Sequence, residues 1–587
     1  MNSIVVSSEF ATSAHSLEII NLSQQQNVVS GTVSDSEGIP LPGVTIVIKG
    51  TTQGTVTDSD GQFSLSVPSN DAILQFSFVG MRTMEVAVNG RTSISVELES
   101  ETIGIDEVVA IGYGTVQKSD LTGSVSSVTS QDLGDRVTTD LASLIQGKAA
   151  GVEVSRDNIR IRGVTTFNNT DPLVVIDGFL GGNMSDVNPN DIESIEILKD
   201  ASSTAIYGSR GANGVILVTT KSGKTGPLEV RVNALAGISN TPKKLDLLNA
   251  SQYIDYAHDA LNNANIEITD RLRSDAVRQD VTDWQDEIFR TGNFQEYNLD
   301  FSGGTEKSTF FVSFAYRHNK EFYIDKNSDA ARIRIKNQFN PKKWIKAGEN
   351  ISLSYNIDRG TGPQEGSLPF YSPLPYLPVY DEDILGGFAI VDRTGDLSDS
   401  RNPVADVYLT DPQTNSMNYM ANVWTEITPL KGLTYRFQAG VTGDFSKFTR
   451  WTDEYQRPDG RIVENEYTEQ SSYSIYPLIE SYLTYNNTIG IHDFSVMVGN
   501  TWQDYARYGG IGVYGQDYDR TDVKNVFLAR NNMVLNHDFG QYAYLSYFGR
   551  LNYQLNSKYL LTVNLRRDGS PRFAPEHRWG TFPSVAL

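Results

Sequence analysis

The stretch DIESIEILKDASSTAIYGSRGANGVILVTTK, residues 191–221, decides the fold of this chain. A strand-like run that contains Ile195 and Ile197 leads into a short helical segment, 200–207. Three glycines then break that segment, because glycine readily adopts the backbone angles of a tight chain reversal. A second apolar strand, 214–220, follows. The pattern predicts a small unit in which strands and short helices are mixed.

Three further segments upstream extend this unit. Residues 172–178 read PLVVIDG, an apolar strand that ends in a tight turn. Residues 159–163 read IRIRG, in which the two arginines share one face of a strand. Residues 139–147 form a predicted helix that is closed by its glycine. Together with 191–221, these segments indicate one α+β domain over 119–224.

This domain closely resembles the plug of TonB-dependent outer-membrane transporters of the SusC/RagA type. The resemblance rests on the residues Arg160, Arg162, Gly163, Asp177, Gly178, Tyr207, Gly208, Arg210, Gly211 and Gly214. The chain departs from the family between Val154 and Ile159, where a glycine- and proline-bearing insertion is missing. We therefore expect a shorter plug loop there. A plug fills the lumen of a barrel, so the rest of the chain is expected to supply that barrel.

From residue 227 onward the pattern changes to alternation. Segments 309–316, 433–442 and 547–555 each place apolar side chains on one face and a more polar set on the other. That arrangement fits lipid outside and a wet lumen inside. Short turns are predicted near 303–305, 340–343, 429–432, 487–490 and 556–558. They alternate with longer connections near 239–294, 317–330, 358–417, 445–474, 504–543 and 567–578, as periplasmic turns alternate with extracellular loops in an outer-membrane barrel.

The strand count predicts an incomplete barrel. Roughly twelve strands begin before the chain ends, whereas plugged transporter barrels have about 22. Residues 579–587, WGTFPSVAL, read as a strand in progress, without the terminal aromatic residue typical of the family. We therefore expect 225–587 to be the N-terminal part of a transmembrane antiparallel β-barrel. The whole chain is expected to be mainly β.

The N-terminal region predicts a small β-sandwich over 28–99. Strand-like runs at 44–48, 54–57, 62–67, 73–78, 84–88 and 93–98 are separated by turn residues. The region resembles the carboxypeptidase-regulatory-like domain that often precedes the plug in this family. Asp58 and Asp60 recur at the spacing of a calcium loop, but the closing Glu of such a loop is missing, so we expect a plain turn. Residues 1–27 contain no recognisable signal peptide, since no Lys or Arg precedes Lys49; an export signal is expected upstream, or to have been removed or lost.

The linker 100–118 carries an apolar strand-former, 108–111, which needs a partner. It either docks on its own domain or pairs with the sheet edge of another protein. In the family, this region matches the Ton box, the segment gripped by the inner-membrane-anchored TonB protein and its energising partners. The matching residues are Asp106, Glu107, Val108, Val109, Ala110, Ile111, Gly112, Tyr113 and Gly114.

Composition excludes several other functions. The formal net charge of −22 argues against nucleic-acid binding, which requires basic patches. The absence of cysteine fits an oxidising compartment such as the periplasm. No HExxH, GxSxG or Walker A motif occurs, and the six histidines have no metal-ligand spacing. We therefore predict no enzyme activity, no cofactor and no metal site.

The resemblance implies a protein of the outer membrane of a Gram-negative bacterium. It implies active import of an oligosaccharide or a peptide together with a SusD-like surface lipoprotein. The alternative is a non-transporting outer-membrane protein, either a passive pore or an adhesin.

For two sets of side chains, the sequence allows both a structural role and a ligand-binding role. The plug arginines Arg160, Arg162 and Arg210 either tie the plug to the barrel wall or contact ligand. The aromatic clusters at 369–380 and 505–518 either stack on sugar rings or pack against the loops and a partner.

Overall fold

The structure is a computed structural model that describes most of the chain. The described residues are 27–35, 38–51, 53–78, 81, 83–98, 108–110, 114–117, 123–133, 141–155, 158–163, 170–241, 243–278, 282–361, 372–391, 402–556 and 558–587. They divide into two compact units. One contains the described residues up to 109 together with 116–117, and the other contains 110, 114–115 and everything from 123 onward.

The N-terminal unit is the predicted β-sandwich. Its strands are β1 (Asn27–Asp35), β2 (Thr45–Ile48), β3 (Gly54–Val56), β4 (Gln62–Val67), β5 (Ile73–Ser77), β6 (Met84–Ala87) and β7 (Ser93–Leu98). One sheet has the order β4-β1-β7, and the other has the order β3-β2-β5-β6. Phe63 of the first sheet meets Phe76 of the second edge to face, with ring centroids 5.5 Å apart. Inward side chains of both sheets therefore form one core.

Two local expectations in this unit can be compared with the structure. The carboxylate of Asp58 accepts hydrogen bonds from the N–H groups of Asp60 (3.0 Å) and Gln62 (2.8 Å), as in the plain turn expected there. Strand β1 was not among the predicted strands. Its sequence, NVVSGTVSD, mixes serine, glycine and aspartate with only three valines, so its alternation is weak.

Two short strands follow the sandwich, β8 (Val108–Ala110) and β9 (Thr115–Gln117), and they form a separate two-stranded sheet.

The plug comes next. Its strands are β10 (Val125–Thr129), β11 (Val152–Ser155), β12 (Asn158–Ile161), β13 (Leu173–Ile176), β14 (Phe179–Leu180), β15 (Ile192–Leu198) and β16 (Val215–Thr220). Its helices are α1 (Ser130–Leu133), α2 (Leu141–Ile145) and α3 (Ala201–Thr204), with 3₁₀ turns at Met184–Asp186, Pro189–Asp191 and Ala205–Gly211.

The central plug sheet has the order β10-β15-β16-β13-β14, with β13 parallel to β16. Ile195, Ile197 and the apolar residues of β16 are buried. Because both faces of β16 are covered, its sequence begins with a continuous apolar run and does not alternate. The predicted helix after Asp200 starts as expected, with Asp200 capping the N–H groups of Ser202 and Ser203 at 2.9 Å. Strands β11 and β12 pair antiparallel up to Ser155 and Asn158, and residues 156–157 of the expected shorter loop lie outside the described residues.

The remainder of the chain builds one large antiparallel sheet. Its strands are β17 (Gly226–Ser239), β18 (Gly292–Thr305), β19 (Ser308–Lys320), β20 (Asn327–Lys342), β21 (Ile345–Arg359), β22 (Thr410–Leu430), β23 (Leu433–Thr452), β26 (Glu466–Ile489), β27 (His492–Gln516), β28 (Asn531–Leu555), β29 (Tyr559–Gly569) and β30 (Trp579–Ala586). A small hairpin, β24 (Tyr455–Gln456) with β25 (Ile462–Val463), lies between β23 and β26. Twelve strands follow one another in chain order, which confirms the predicted fold class and strand count.

The two faces of this sheet differ as predicted. On β27, Val498 is 54% exposed on the outer face, whereas Gln503 is 1% exposed on the inner face, which contacts the plug. The five short turns also lie where they were predicted, at residues 306–307, 343–344, 431–432, 490–491 and 556–558. Apolar side chains outside and polar ones inside are what a lipid-embedded wall requires.

The longer connections are shorter than predicted. The expected loop 445–474 is only 453–465 in the structure, and the expected loop 504–543 is only 517–530, because strands β23, β26, β27 and β28 are 20–25 residues long. A strand needs only about 9–11 residues to cross a bilayer. Beyond that height both faces meet water, so the alternation on which the prediction rests fades.

Two long connections carry their own helices: α4 (Ala250–Asn263), α5 (Asp270–Arg273) and α6 (Trp284–Ile288) in the first, and α7 (Pro403–Tyr408) in the second. Leu374, Tyr376 and Leu377 are buried against this helical layer, and the indole N–H of Trp284 donates to the carbonyl of Leu374 at 3.1 Å. The described part of the aromatic cluster 369–380 therefore packs the loops. No helix within the described ranges has the length and apolarity to cross a membrane.

The apolar outer face of the wall predicts how substitutions change the stability of the whole gene product folded into lipid vesicles. Val498→Arg should destabilise the folded barrel by up to about 2–4 kcal/mol, because it places a charge on the outer face. Val498→Leu, the matched control, should leave stability within about 1 kcal/mol. Urea titration of the vesicle-bound protein measures both. Equal stability of the two variants would show that this face does not meet lipid.

Candidate functional site: the interface between plug and barrel wall

Asp177 is the first plug residue that points at the wall. It forms the turn between β13 and β14 with Gly178, and both have positive φ angles, 50° and 80°. An Asp-Gly pair is well suited to such a two-residue hairpin turn. The carboxylate accepts hydrogen bonds from the N–H (2.9 Å) and the hydroxyl (2.6 Å) of Thr220. The plug sheet therefore fixes the direction of this side chain.

Three side chains of the wall complete the environment of Asp177. Lys336 Nζ lies 2.9 Å away, Asn350 Nδ2 lies 2.7 Å away and Arg334 Nη1 lies 3.4 Å away. Burial alone would disfavour the charged carboxylate. Lys336 and Arg334, helped by the Thr220 hydrogen bonds, nevertheless hold the pKa of Asp177 below its ordinary value.

Arg334 also reaches a second buried plug carboxylate. Its Nε lies 3.6 Å from Asp191 Oδ2, which accepts a hydrogen bond from the hydroxyl of Ser313 at 2.7 Å. Asp191 Oδ1 has no hydrogen-bond partner within the described part of the chain. Burial raises the pKa of Asp191 to about 6, against the opposing effects of Arg334 and Ser313. We call Asp177, Asp191, Arg334, Lys336 and Asn350 the latch.

Further polar contacts surround the latch. They join plug to wall through Asn188 and Asn298 (2.8 Å), Asn190 and Glu296 (3.0 Å), Asp186 and Asn418 (2.8 Å), and the carbonyl of Ser185 and Arg332 (3.1 Å). Burial raises the pKa of Asp186 to about 6, and Arg332 and Asn418 oppose that rise. Apolar contact is also present, because Met420, Leu478, Met497 and Phe548 of the wall join the plug core.

A second attachment holds the chain reversal after α3. Arg566 donates to the carbonyl of Ile206 at 2.6 Å, and Asp568 accepts from the N–H of Ser209 at 3.3 Å. Gly208 lies between these contacts with φ 65° and ψ −145°, a conformation that is almost restricted to glycine. A Cβ at Gly208 would overlap the Asp568 carboxylate and lie 2.8 Å from Arg566 Nε.

The other residues of the plug motif lie around the same reversal and in the β11–β12 hairpin. Tyr207 is buried, and Gly211 and Gly214 close the reversal before β16. Arg210 donates to Gln503 of the wall, and its guanidinium carbon lies 5.5 Å from the centre of the Tyr505 ring.

Arg160 and Arg162 do not reach the wall in this way. Arg160 lies opposite Glu153 in the β11–β12 hairpin. Arg162 and Gly163 follow β12 and are exposed, and the Arg162 N–H donates to the carbonyl of Gly151 at 2.9 Å. Neither guanidinium has a hydrogen bond or ion pair to another described residue. The structure thus brings only Arg210 of the three arginines to the wall.

The segment 106–114 is described only in part. Asp106, Glu107, Ile111, Gly112 and Tyr113 lie outside the described residues. Val108, Val109 and Ala110 form β8, which pairs with β9, and Gly114 is exposed. The apolar strand-former therefore has a partner within the linker itself. Pairing with another protein stays a prediction.

Sequence reasoning missed the wall half of this interface. Arg334 and Lys336 belong to the run ARIRIK, residues 331–336, in which basic residues alternate with isoleucine. Basic side chains that all share the inner face of a barrel strand need buried anionic partners. The alternation of basic residues in 331–336 could therefore have indicated a buried ion-pair interface. In the structure, Asp177 and Asp191 are the anionic partners.

The described groups of this interface are hydrogen-bond donors, hydrogen-bond acceptors and paired charges. Across the described ranges, no group of three or more histidine, aspartate or glutamate side chains is placed to hold a metal ion. Such an interface can hold the plug in one position.

Comparison with known proteins agrees with this architecture. The carboxypeptidase-regulatory-like domain model matches residues 29–110, and the TonB-dependent receptor plug domain model matches residues 117–215. The chain is 35% identical to TonB-dependent receptor P3 of Formosa agariphila, over 96% of this chain and 56% of the relative. It is also 35% identical to TonB-dependent receptor SusC of Bacteroides thetaiotaomicron, over 96% of this chain and 58% of the relative.

Among solved structures, the RagAB peptide importer in its closed-closed state shares the fold. The TM-score is 0.67 at 24% identity, over 79% of this chain and 57% of that chain. A structure of the RagAB peptide transporter gives a TM-score of 0.68 at the same identity.

A twelve-stranded antiparallel wall that holds a latched plug on its inner face is the architecture of a plugged outer-membrane β-barrel protein. With these matches, the chain carries a TonB-dependent receptor plug domain and is similar to TonB-dependent receptors of the SusC/RagA type. It spans 56–58% of the length of these two curated relatives.

The latch can be tested by removing its shared cation. Arg334→Gln should destabilise the docked plug by about 3–5 kcal/mol, because it leaves two buried carboxylates without their common partner. Arg231→Gln is the matched control, since Arg231 pairs with Glu229 at the surface of another wall strand. That change should cost less than about 1 kcal/mol. Hydrogen exchange of the β13 and β16 amides measures plug opening, and equal protection in the two variants would contradict the latch.

The second attachment can be tested at Gly208. Gly208→Ala should weaken plug docking through both backbone strain and overlap with Asp568. Gly147→Ala is the control, because Gly147 also has a positive φ, 73°, but has open space around it. The control should cost about 1–2 kcal/mol for strain alone. Protease cleavage of the plug in the folded barrel should therefore be faster for Gly208→Ala; equal rates would show that the close approach is unimportant.

Proposed function

We propose that the complete protein imports a large nutrient across the outer membrane, driven by TonB. An oligosaccharide is the favoured cargo, and a peptide is the second possibility. The observation that carries this proposal is the latch. A plug fixed inside a barrel by buried, paired charges blocks passive flow, so passage requires work from outside the barrel.

The source of that work is the segment 106–114. TonB is proposed to pair with it as an added strand, since strand addition supplies main-chain hydrogen bonds without a pocket. Pairing in this way requires β8 to exchange its partner β9 for the strand of TonB. A pull on this segment is carried to the plug, where water can replace the polar contacts as they break.

The partner on the outer side is proposed to be a SusD-like surface lipoprotein, as the resemblance to the SusC/RagA type implies. Support for import comes from the likeness to a receptor named SusC and to structures described as a peptide importer. Their names do not decide the cargo of this chain. A non-transporting pore or adhesin is the competing function, and the latched plug argues against the pore.

Replacement of 106–114 by a Gly-Ser linker of equal length tests the energised mechanism. In the full-length protein in cells, this change should abolish uptake, because the handle for TonB is gone, while ligand binding at the cell surface is retained. The unchanged linker length keeps the sandwich-to-plug connection comparable. Uptake that survives the replacement would disprove TonB-driven import, and loss of binding together with uptake would point to misfolding or to an adhesin-like role for the segment.

A further inference from the structure

Four tyrosines gather on the inner face of the wall, beside the plug. Tyr505 of β27 stacks on Tyr542 of β28, with ring centroids 4.8 Å apart and planes 10° apart. Tyr544 meets Tyr505 edge to face at 5.6 Å, and Tyr476 of β26 lies 5.3 Å from Tyr505. We call these four residues the tyrosine platform.

Strand register shows which face carries the platform. Tyr476, Tyr505 and Tyr542 lie directly opposite one another across three neighbouring strands. Tyr505 is two residues beyond Gln503, which receives the hydrogen bond from the plug residue Arg210. The platform therefore faces the lumen on the loop side of that plug contact.

Two arginines flank the platform from different parts of the chain. Arg210 of the plug lies over Tyr505, and Arg572, in the connection after β29, lies 4.8 Å from the centre of the Tyr542 ring. Neither guanidinium has a carboxylate partner within the described residues. By contrast, Arg566 of the wall pairs with Asp568, and Arg334 pairs with Asp177.

The unpaired cations are informative because of their setting. The chain has a formal net charge of −22, so carboxylates are abundant. Arg210 and Arg572 lie against the two rings that stack on each other, Tyr505 and Tyr542, so the platform carries two positive charges in an otherwise acidic protein. Guanidinium groups bind planar or tetrahedral oxyanions through paired hydrogen bonds. The site therefore suits a ligand that carries a carboxylate or a sulfate.

The platform itself indicates the rest of the ligand. All four tyrosines are half-buried, and none of their hydroxyls makes a hydrogen bond to a described residue. Tyrosine offers a flat apolar face and a polar tip. These are the contacts that a sugar ring needs, since it presents an apolar face of C–H groups and a rim of hydroxyls.

A peptide fits this surface less well. Peptides are commonly bound by main-chain hydrogen bonds to a free sheet edge. Strands β26, β27 and β28 are paired on both sides, so their backbone groups are already used. Recognition here must come from side chains alone.

We propose that the tyrosine platform, with Arg210 and Arg572, is a binding site for an oligosaccharide that carries acidic groups. The sugar rings contact the four tyrosines, and the anionic substituents pair with Arg210 and Arg572. The inference rests on the proposed import function, for which it names the class of cargo.

Binding to the full-length protein in detergent tests the site by calorimetry. The probes are an oligogalacturonate, a sulfated oligosaccharide, a neutral oligosaccharide and a glutamate-rich peptide, all matched in length. The acidic sugars should bind, and Arg572→Gln and Tyr542→Ala should each weaken that binding roughly ten- to hundred-fold. The tighter of the two acidic sugars identifies the anionic group. Arg520→Gln and Tyr473→Ala are matched controls, since Arg520 pairs with Asp522 and Tyr473 stacks on Tyr508 of the outer face.

Three results would overturn the proposal: equal affinity for the neutral sugar, preference for the acidic peptide, or unchanged binding in both platform variants. None of these measurements involves TonB. If uptake still depends on 106–114 while the platform variants bind normally, the site is wrong and the import function stands.

Discussion

The structure depends on the pairing of two buried plug carboxylates with one wall arginine. Asp177 and Asp191 both lie within reach of Arg334, and all three side chains are almost fully buried. A buried charge without a partner is far more costly than a paired one. The plug therefore has one favourable position, in which its buried carboxylates meet the basic side chains on the inner face of β20. Without this contact, the charges on both sides would lack partners.

The division between apolar and polar contacts explains how such a plug is both stable and removable. Most of its own core is built from buried residues of β13, β15 and β16. Most described contacts to the wall are hydrogen bonds and ion pairs, which water can replace at modest net cost. The patch around Met420, Leu478, Met497 and Phe548 is the exception, because its exposure would cost about 25 cal/mol for each Å². In the proposed mechanism, force is therefore needed mainly to start the displacement of the plug.

Features set by local chemistry could be predicted from the sequence, and features set by distant partners could not. The Asp177-Gly178 turn, the twelve strands and the short turns each follow from neighbouring residues. The latch joins residues 157 positions apart, so only the alternating basic run in β20 hinted at it. The tall strands above the bilayer were missed because both of their faces meet water. The aromatic cluster 505–518 divides by face: Tyr505 lies inside, Tyr508 stacks on the outer Tyr473, and Tyr518 packs on Trp451.

Arg210 links the proposed ligand site to the plug, and this link has a mechanical consequence. The platform tyrosines and Arg572 belong to the wall and its loop, whereas Arg210 belongs to the plug reversal that Arg566 and Asp568 hold at Gly208. A cargo that pairs with both arginines contacts the plug and the wall at once. In the proposed import mechanism, displacement of the plug carries Arg210 away, and the anionic cargo loses one of its two cations. The proposal therefore implies that affinity for the cargo falls as the plug is displaced.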